Sequence, residues 1–127
     1  MKPEVLGYLQ TQQVSVLAVE MPDGSPHAAT IHFAAEPDGS RFYFWTPTGS
    51  RKVESLHVRP SSRASVVVGF DEANMKTLQM DGIVAFVPEQ DRENFDAIYF
   101  DKFPDKVGKF PDAVPVVFSP TWWRFTD

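Results

Sequence analysis

The feature that most constrains the fold is a turn sequence that occurs twice. Pro-Asp-Gly-Ser stands at residues 22–25 and again at residues 37–40. These residue types favour tight turns, because proline presets φ, glycine adopts positive φ, and aspartate and serine side chains hydrogen-bond the local backbone. Runs of β-branched and aromatic residues flank both turns, at Val14 to Glu20, His27 to Ala35 and Arg41 to Thr46. The pattern predicts three neighbouring antiparallel strands that form a meander.

Apolar residues follow helical spacing in three other places. They predict a short helix within residues 2–13, a second helix that begins after Ser50, and a third within Glu89 to Asp105. The hydroxyl of Ser50 suits an N-cap position. Pro60 ends the second helix, because the residue before a proline avoids the α region. The acidic face of the third helix needs no role beyond contact with solvent.

Four further segments have the pattern of strands. Ala64 to Phe70 and Thr77 to Val87 flank a polar connection, and Gly82 within the second of them predicts a bulge or a sharp bend. A final strand pair is predicted at Ala113 to Ser119 and Thr121 to Thr126. Prolines interrupt this pair, which indicates edge strands or bulges. Such kinks help a sheet to curl into a barrel.

Size and composition favour one mainly β domain. The chain has 127 residues, which suits a single domain spanning 1–127. Its 11 prolines and 13% aromatic residues are typical of many short strands joined by turns, and they disfavour a helical bundle. We therefore expect a β-barrel of six or seven strands with a few α-helices.

Charge and cysteine content limit the partners. The formal net charge of -5 argues against a broad nucleic-acid interface, and the absence of cysteine excludes disulfides, thiolate nucleophiles and cysteine-ligated zinc. No apolar run has the length of a membrane span, and the first residues lack a secretory signal. We expect a cytoplasmic protein that binds neither nucleic acid nor membrane.

One short segment departs from the acidic balance. Arg51, Lys52, Arg59 and Arg63 stand close together in the sequence with a single acid, Glu54, between them. The first two would begin the second predicted helix, where free backbone N–H groups and the helix dipole favour an anion. Basic side chains there add charge-assisted hydrogen bonds. This pattern is typical of a compact phosphate site, although a basic helix start on a surface is also common.

The flanks of this segment resemble a known family. Ser50-Arg51-Lys52, followed by Leu56, Pro60 and a strand that begins with Arg63, resembles the signature of the pyridoxamine 5'-phosphate oxidase-like family of FMN-binding split barrels. The preceding hairpin, the aromatic strand that ends at Trp45-Thr46, and Gln79 shortly before Gly82 are similar to further elements of that family in the same order. The resemblance covers roughly residues 14–87.

The resemblance implies a closed Greek-key split barrel with FMN bound at a homodimer interface. Arg51 and Lys52 would hold the flavin phosphate, and Thr46 and Ser50 would supply hydroxyl groups nearby. Gln79 would reach the flavin from the partner chain, and one of the adjacent tryptophans would cover the flavin or the dimer seam. The residues implied in cofactor binding are Ala29, Thr30, Ile31, His32, Trp45, Thr46, Ser50, Arg51, Lys52, Gln79 and Trp123.

The implied function is a flavin-dependent oxidoreductase that acts on a small molecule. Ala29 and Ala34 stand where pyridoxamine 5'-phosphate oxidase itself has an arginine and a lysine, and the basic C-terminal substrate motif of that enzyme has no counterpart here. Members of the family also use a deazaflavin cofactor, haem or no cofactor. A flavin-binding or flavin-sequestering protein without enzymatic activity, with stress or regulatory duties, is the alternative.

The remaining candidates for chemistry are weak. His27 and His32 fall on opposite faces of one predicted strand, and His57 has no ligand at helical spacing, so no metal site is expected. There is no Gly-x-Ser-x-Gly nucleophile elbow. No side chain is identified as a catalytic acid or base, which fits chemistry carried by a cofactor.

Overall fold

Seven strands, two α-helices and three short 3-10 helices make up the computed structural model, which describes all of residues 1–127. The strands are β1 (Val14–Glu20), β2 (Pro26–His32), β3 (Ala34–Ala35), β4 (Phe42–Pro47), β5 (Ser62–Val68), β6 (Thr77–Phe86) and β7 (Ala113–Thr126). The helices are α1 (Pro3–Thr11) and α2 (Arg92–Lys102), and the 3-10 helices span Arg51–His57, Glu89–Asp91 and Pro104–Lys106. None of the helices is long and apolar enough to cross a membrane.

All seven strands join one sheet in the order β2-β1-β5-β6-β7-β4-β3. Every pair of neighbours is antiparallel. Phe33 alone separates β2 from β3, although these two strands stand at opposite edges of the sheet. The sheet therefore curls until its edges approach each other at this residue. The predicted mainly β, split-barrel fold is confirmed.

The interior of the curled sheet is filled by alternate residues of the strands. Leu17 of β1, Val66 of β5 and Met80 of β6 occupy one row across the sheet and are buried. Facing residues of antiparallel strands project from the same side, so a period of two along each strand builds a continuous core. Val5 and Leu9 of α1 join this core.

A second, smaller core lies on the outer side of β4. Tyr43 of β4 packs against Phe95 of α2 with the rings 5.5 Å apart and nearly perpendicular. Phe95 in turn stacks on Tyr99, at 5.3 Å and 9°. The Tyr43 hydroxyl donates to Glu36 Oε1 at 2.6 Å. Burial and the Glu36 carboxylate raise the pKa of Tyr43 to about 12. These contacts hold α2, the predicted third helix, against the sheet.

The predicted meander is only partly correct. β1 and β2 form the expected hairpin, with Leu17 opposite Ala29. β4, however, pairs with the preceding segment through the two residues of β3 only, and its main partner is β7. The Phe33 N–H donates to Gln13 O at 3.1 Å, which extends the β1–β2 pairing by one residue. At Ala34 the chain leaves this edge of the sheet and pairs with β4 at the other edge.

The last predicted strand pair is wrong, because Ala113–Thr126 forms the single strand β7. Pro120 lies opposite Gly82, where the pairing register between β6 and β7 shifts after Asp81. A side chain at Gly82 would collide with the Ser119 carbonyl oxygen and with Pro120 Cα. The predicted bulge at Gly82 is confirmed, and it accommodates a proline within a long strand.

The predicted second helix is present but is a 3-10 helix, Arg51–His57. Val53 and Leu56 are buried on its inner side, and Ser50 is its N-cap as expected. Pro60 follows shortly after its end. A 3-10 helix has poorer hydrogen-bond geometry than an α-helix and only seven residues here, so the helix dipole is a weak part of any anion site at its start.

Candidate cofactor site

Arg51 and Lys52 begin the 3-10 helix and keep their charges free. Ser50 Oγ accepts from the Lys52 backbone N–H at 3.3 Å, which fixes the start of the helix. The three ion pairs of the structure involve neither Arg51 nor Lys52. Hydrogen bonds from Ser25 lower the pKa of Asp23, and the charge of Arg51 adds to that effect. Arg51 therefore lies near the turn of the β1–β2 hairpin.

The other two cations of the basic segment both pair with the carboxylate of Glu20, at the end of β1. Arg59 Nη1 lies 3.3 Å from Glu20 Oε1, and Arg63 Nη2 pairs with Glu20 Oε2. The hydrogen bond from Arg63 is the main cause that lowers the pKa of Glu20. Ser55 Oγ also donates to the Glu20 carbonyl, at 2.5 Å. The segment thus divides into a free pair at the helix start and a pair bound to Glu20 at its end.

Sequence reasoning missed Glu20. This residue is about forty positions from the arginines that it binds, and nothing in the local pattern marks it. The only available signal is the alternation of β1, which turns Leu17 and Val19 inward and leaves Glu20 on the outer side of the strand. The charged side chain of Glu20 therefore lies beside the start of the neighbouring strand β5, where Arg63 is the second residue.

The outer face of the sheet carries two of the implied cofactor residues in one row. Thr30 of β2, Val16 of β1, Val67 of β5, Gln79 of β6 and Arg124 of β7 are cross-strand neighbours in that order. Thr30 and Gln79 are exposed, whereas Val16 and Val67 are half-buried. The outer face of these five strands is therefore partly apolar, with polar residues at intervals.

An open groove crosses the same face beside the hairpin turn. Its volume is about 610 Å³, and its lining includes Gly24, Glu20, Arg63 and Asp81. Ser65 Oγ donates to Asp81 Oδ1 at 2.7 Å, so this polar edge is ordered. The groove reaches the hairpin turn near which Arg51 lies. A phosphate at the 3-10 helix start would therefore be close to a surface large enough for a flat ring system.

The other implied residues are distributed over both sides of the sheet. Ala29 and Ile31 are half-buried on the inner side of β2, and Thr46 is buried on the inner side of β4. Trp123 lies opposite Met80 and is partly exposed. Ser50, Arg51 and Lys52 are neighbours in sequence, whereas Thr30 and Gln79 share one row of the sheet but lie three strand spacings, roughly 14 Å, apart. The structure does not collect the whole predicted set in one place.

Trp45 and Gln79 are far apart within one chain. Trp45 lies opposite Pro115 of β7, whereas Gln79 lies opposite Arg124 of the same strand. These two β7 residues are nine positions apart, roughly 30 Å along the strand. One small cofactor cannot touch both side chains of the same protomer.

The three histidines hold no common site. His57 Nε2 is 2.8 Å from the Thr48 carbonyl oxygen, and its ring packs 5.3 Å from Phe86. The His32 ring lies 5.3 Å from Phe103. Burial, and then the charge of Lys106, lower the pKa of His32. No three histidine, aspartate or glutamate side chains come together as a metal site.

Comparison with known proteins identifies a family whose sequence model covers the whole chain. The sequence model of a family described as pyridoxamine 5'-phosphate oxidase matches residues 1–127. No curated protein sequence matches the chain. Solved structures are similar in fold. A protein of unknown function from Agrobacterium tumefaciens has a TM-score of 0.78 at 18% identity, with 99% of this chain and 58% of that chain covered. The present chain thus spans little more than half of that protein.

Two further solved structures match over most of their length. The haem storage protein HutZ from Vibrio cholerae has a TM-score of 0.74 at 18% identity, with 97% of this chain and 92% of that chain covered. An FAD-binding protein from Mesorhizobium loti has a TM-score of 0.72 at 18% identity, with 100% of this chain and 96% of that chain covered. At these identities the likeness shows a shared fold alone.

Proposed function

Because the chain belongs to the pyridoxamine 5'-phosphate oxidase family, we propose that it binds FMN and acts as a flavin-dependent oxidoreductase on a small molecule. The proposal rests on membership of the family together with one observation, the free cations at the start of the 3-10 helix. An FMN phosphate is a dianion that needs such cations, and charge-assisted hydrogen bonds are the strong ones among polar contacts.

Arg51 and Lys52 are the residues that we assign to the phosphate. Of the four cations in the basic segment, these two take part in no ion pair, whereas Arg59 and Arg63 both pair with Glu20. The Ser50 hydroxyl lies beside them. The residues present therefore fit a phosphate group. The groove of about 610 Å³ beside the hairpin turn is large enough for a flat ring system, although none of the implied cofactor residues lines it.

We also propose that the working form is a homodimer. Trp45 and Gln79 are roughly 30 Å apart along β7, so both can touch one flavin only if they come from different protomers. The outer face of the sheet supports this arrangement, because Val16 and Val67 are half-buried there while Ile83 and Trp122 are exposed. Apolar groups that water would otherwise contact stabilise an interface when a second copy covers them.

When bound, the flavin would supply the electron transfer, and the chain would bind and orient it. Arg51 and Lys52 would hold the phosphate, Thr46 and Ser50 would supply hydroxyl groups, and Gln79 of β6 would bond the ring or the ribityl chain. Ala29 to His32 would lie along the cofactor. No side chain is assigned a catalytic acid or base role.

Three alternatives to the FMN-dependent enzyme remain as candidates. A flavin-sequestering protein without activity would use the same phosphate residues, and a deazaflavin cofactor would satisfy the same cations. Haem is a candidate because HutZ, which has the same fold, is a haem storage protein. Two of the three histidines already pack against aromatic rings, at His32 and His57.

The decisive experiment is to purify the protein, release any chromophore and identify it by mass, and then to titrate the cofactor-free protein with FMN, riboflavin and haemin. We expect FMN to bind at least about tenfold more tightly than riboflavin, because the phosphate makes charge-assisted contacts of roughly 1.5 to 3 kcal/mol each. Equal affinity for FMN and riboflavin would overturn the assignment of Arg51 and Lys52. Oxidation of NADH or NADPH by the FMN-loaded protein separates the enzyme from the sequestering protein.

A further inference from the structure

An open cavity lies on the outer side of β4. Trp45 of β4, Arg92 and Phe100 of α2, and residues 107–111 line it, and its volume is about 480 Å³. That volume is within the range of about 300 to 1,000 Å³ that small-molecule sites occupy. The cavity is therefore large enough for a ligand of one or two rings.

Aromatic rings form the walls of this cavity. Trp45 and Phe100 pack 5.7 Å apart at 77°, which leaves ring faces and edges along the lining. Phe110 is 51% exposed although it contacts the cavity. A smaller cavity of about 180 Å³ is also lined by Trp45 and Phe110, so the two cavities adjoin at these rings. A flat aromatic ligand would gain contacts with these rings.

The loop that carries Phe110 has an unusual backbone. Phe110 has φ of 58°, a left-handed conformation that bulky residues rarely adopt, and Gly108 in the same loop has φ of 74°. Val107, also in the lining, is 61% exposed. Strained backbone of this kind is found disproportionately at binding sites. Here it keeps two apolar side chains at the cavity instead of in a core.

The charges around the two cavities are mostly positive. Arg92 and Lys109 line the larger cavity and Lys106 lines the smaller one, against one acid, Asp96. Arg92 Nε donates to Asp96 Oδ1 at 3.0 Å, and its Nη atoms have no hydrogen bond in the structure. The guanidinium lies 5.1 Å from the centre of the Trp45 ring. In a chain of net charge -5, this is a local excess of positive charge.

Trp45 adds one polar group without a partner. Its Nε1–H is buried and has no hydrogen-bond acceptor. A buried donor without an acceptor is costly and uncommon in folded proteins. A shift of the wall that brought an acceptor to this donor would be favoured, and its NMR signal would report any such change.

We propose that this cavity is a binding site for a flat aromatic anion, with the ring packed against the wall that Trp45, Phe100 and Phe110 form and the negative group at the free guanidinium nitrogens of Arg92. Arginine recognises carboxylates through paired N–H donors, so a carboxylate in the plane of an aromatic ring fits the position best. The site is formed by one protomer, and it shares Trp45 but neither Arg51 nor Lys52 with the proposed flavin site.

The test is a titration of the full-length protein, without added flavin, with 2-naphthoate and with its neutral analogue 2-naphthamide. We expect saturable binding of 2-naphthoate and at least about fivefold weaker binding of the amide, which lacks the charge-assisted bonds. The indole N–H signal of Trp45, identified as the one of three that disappears in Trp45→Phe, should shift on binding. No saturable binding of 2-naphthoate would overturn the proposal.

Three variants separate the proposed site from a nonspecific surface effect. Arg92→Gln should abolish the preference for naphthoate over naphthamide, and Phe110→Ala should weaken binding of both ligands. Arg41→Gln, which removes an exposed arginine elsewhere, should change neither affinity. Unchanged affinities in both Arg92→Gln and Phe110→Ala would contradict the proposal. Arg51→Ala should retain naphthoate binding even where it loses FMN, so failure of the flavin proposal is measured separately.

Discussion

Arg59 Nη1 lies 3.3 Å from Glu20 Oε1, which ties the end of the 3-10 helix to the end of β1 across 39 residues of sequence. Arg59 Nη2 also donates to the Pro22 carbonyl at 3.3 Å. This arginine therefore supports the hairpin turn, whereas Arg51 and Lys52 have no such partner. The two ends of one short helix thus carry cations with different roles.

Removal of the free cations should weaken FMN binding, and removal of Arg59 should not. We expect Arg51→Ala and Lys52→Ala each to raise the Kd for FMN by at least about tenfold, since each would remove a charge-assisted bond. Arg59→Ala should leave the Kd nearly unchanged and lower the free energy of unfolding by about 1 kcal/mol, because it loses a half-exposed ion pair and one carbonyl contact.

Fluorescence titration with FMN and thermal melting of the three variants measure both quantities. The three variants are matched in charge, because each change removes one positive charge from the segment that spans residues 51–59. If Arg59→Ala weakens FMN binding as much as Arg51→Ala does, and the fold is intact, the phosphate does not bind at the start of the helix.

A charge on the outer face of the sheet should separate the protomers. Val67 is half-buried on β5, between Val16 and Gln79. We expect sedimentation to show a dimer at micromolar concentration and Val67→Glu to give a monomer, because an uncompensated carboxylate is costly to bury. Val58→Glu, at a residue that is 68% exposed, is the control and should remain dimeric. A wild-type protein that sediments only as a monomer, with or without FMN, would refute the homodimer.

Two glycines should respond to alanine in opposite directions. A Cβ at Gly82 would meet the Ser119 carbonyl oxygen and Pro120 Cα, both backbone atoms that cannot easily move. Gly82→Ala should therefore lower the free energy of unfolding by about 1 to 3 kcal/mol. Gly7 lies within α1, and a Cβ there would have no other atom within 4 Å. Gly7→Ala should therefore raise the free energy of unfolding by about 0.5 to 1 kcal/mol. Urea unfolding measures both, and a neutral Gly82→Ala would show that the bulge tolerates a side chain.

Stability should rise with pH in the range governed by Lys102. Burial lowers the pKa of Lys102 to about 8, and its ammonium lies 4.0 Å from the centre of the Phe33 ring. An unfolded lysine keeps a pKa near ~10.4. From about pH 8 to pH 10 the unfolded chain therefore binds more protons, so the free energy of unfolding increases with pH by at most about 1.4 kcal/mol per unit.

Lys102→Met should remove this increase, and Lys2→Met, at an exposed lysine, should keep it. The measurement is urea unfolding of the three proteins between pH 7.5 and 9.5. Identical slopes for wild type and Lys102→Met would show that Lys102 is as easily protonated in the folded protein as in the unfolded chain.

The local elements were predictable because their signals are local. The Pro-Asp-Gly-Ser turns, the N-cap at Ser50 and the bulge at Gly82 all depend on residues within a few positions. The partners of β4 could not be predicted from local signals. Pairing between β4 and β7 joins residues such as Trp45 and Pro115, which are 70 positions apart. Neither hydrophobic period nor turn chemistry distinguishes between strands of similar pattern.

The site was predictable only in part for the same reason. Counting charges between Arg51 and Arg63 treats four cations alike, whereas Glu20 pairs with two of them from another strand. The free state of Arg51 and Lys52 is a property of the fold. No local sequence signal predicts the cavity beside Trp45, because its walls come from β4, α2 and the loop before β7.

The single residue between β2 and β3 also determines how a small molecule can reach the protein. One residue spans no more than about 3.6 Å, so the two edges of the sheet cannot move apart at Phe33 to form an entrance. The Phe33 side chain is fully buried, packs 5.9 Å from Phe42, and is covered by the ammonium of Lys102. The proposed cofactor and its substrate would therefore not enter through this edge, and their rates of entry should depend on the loops and on the proposed partner protomer.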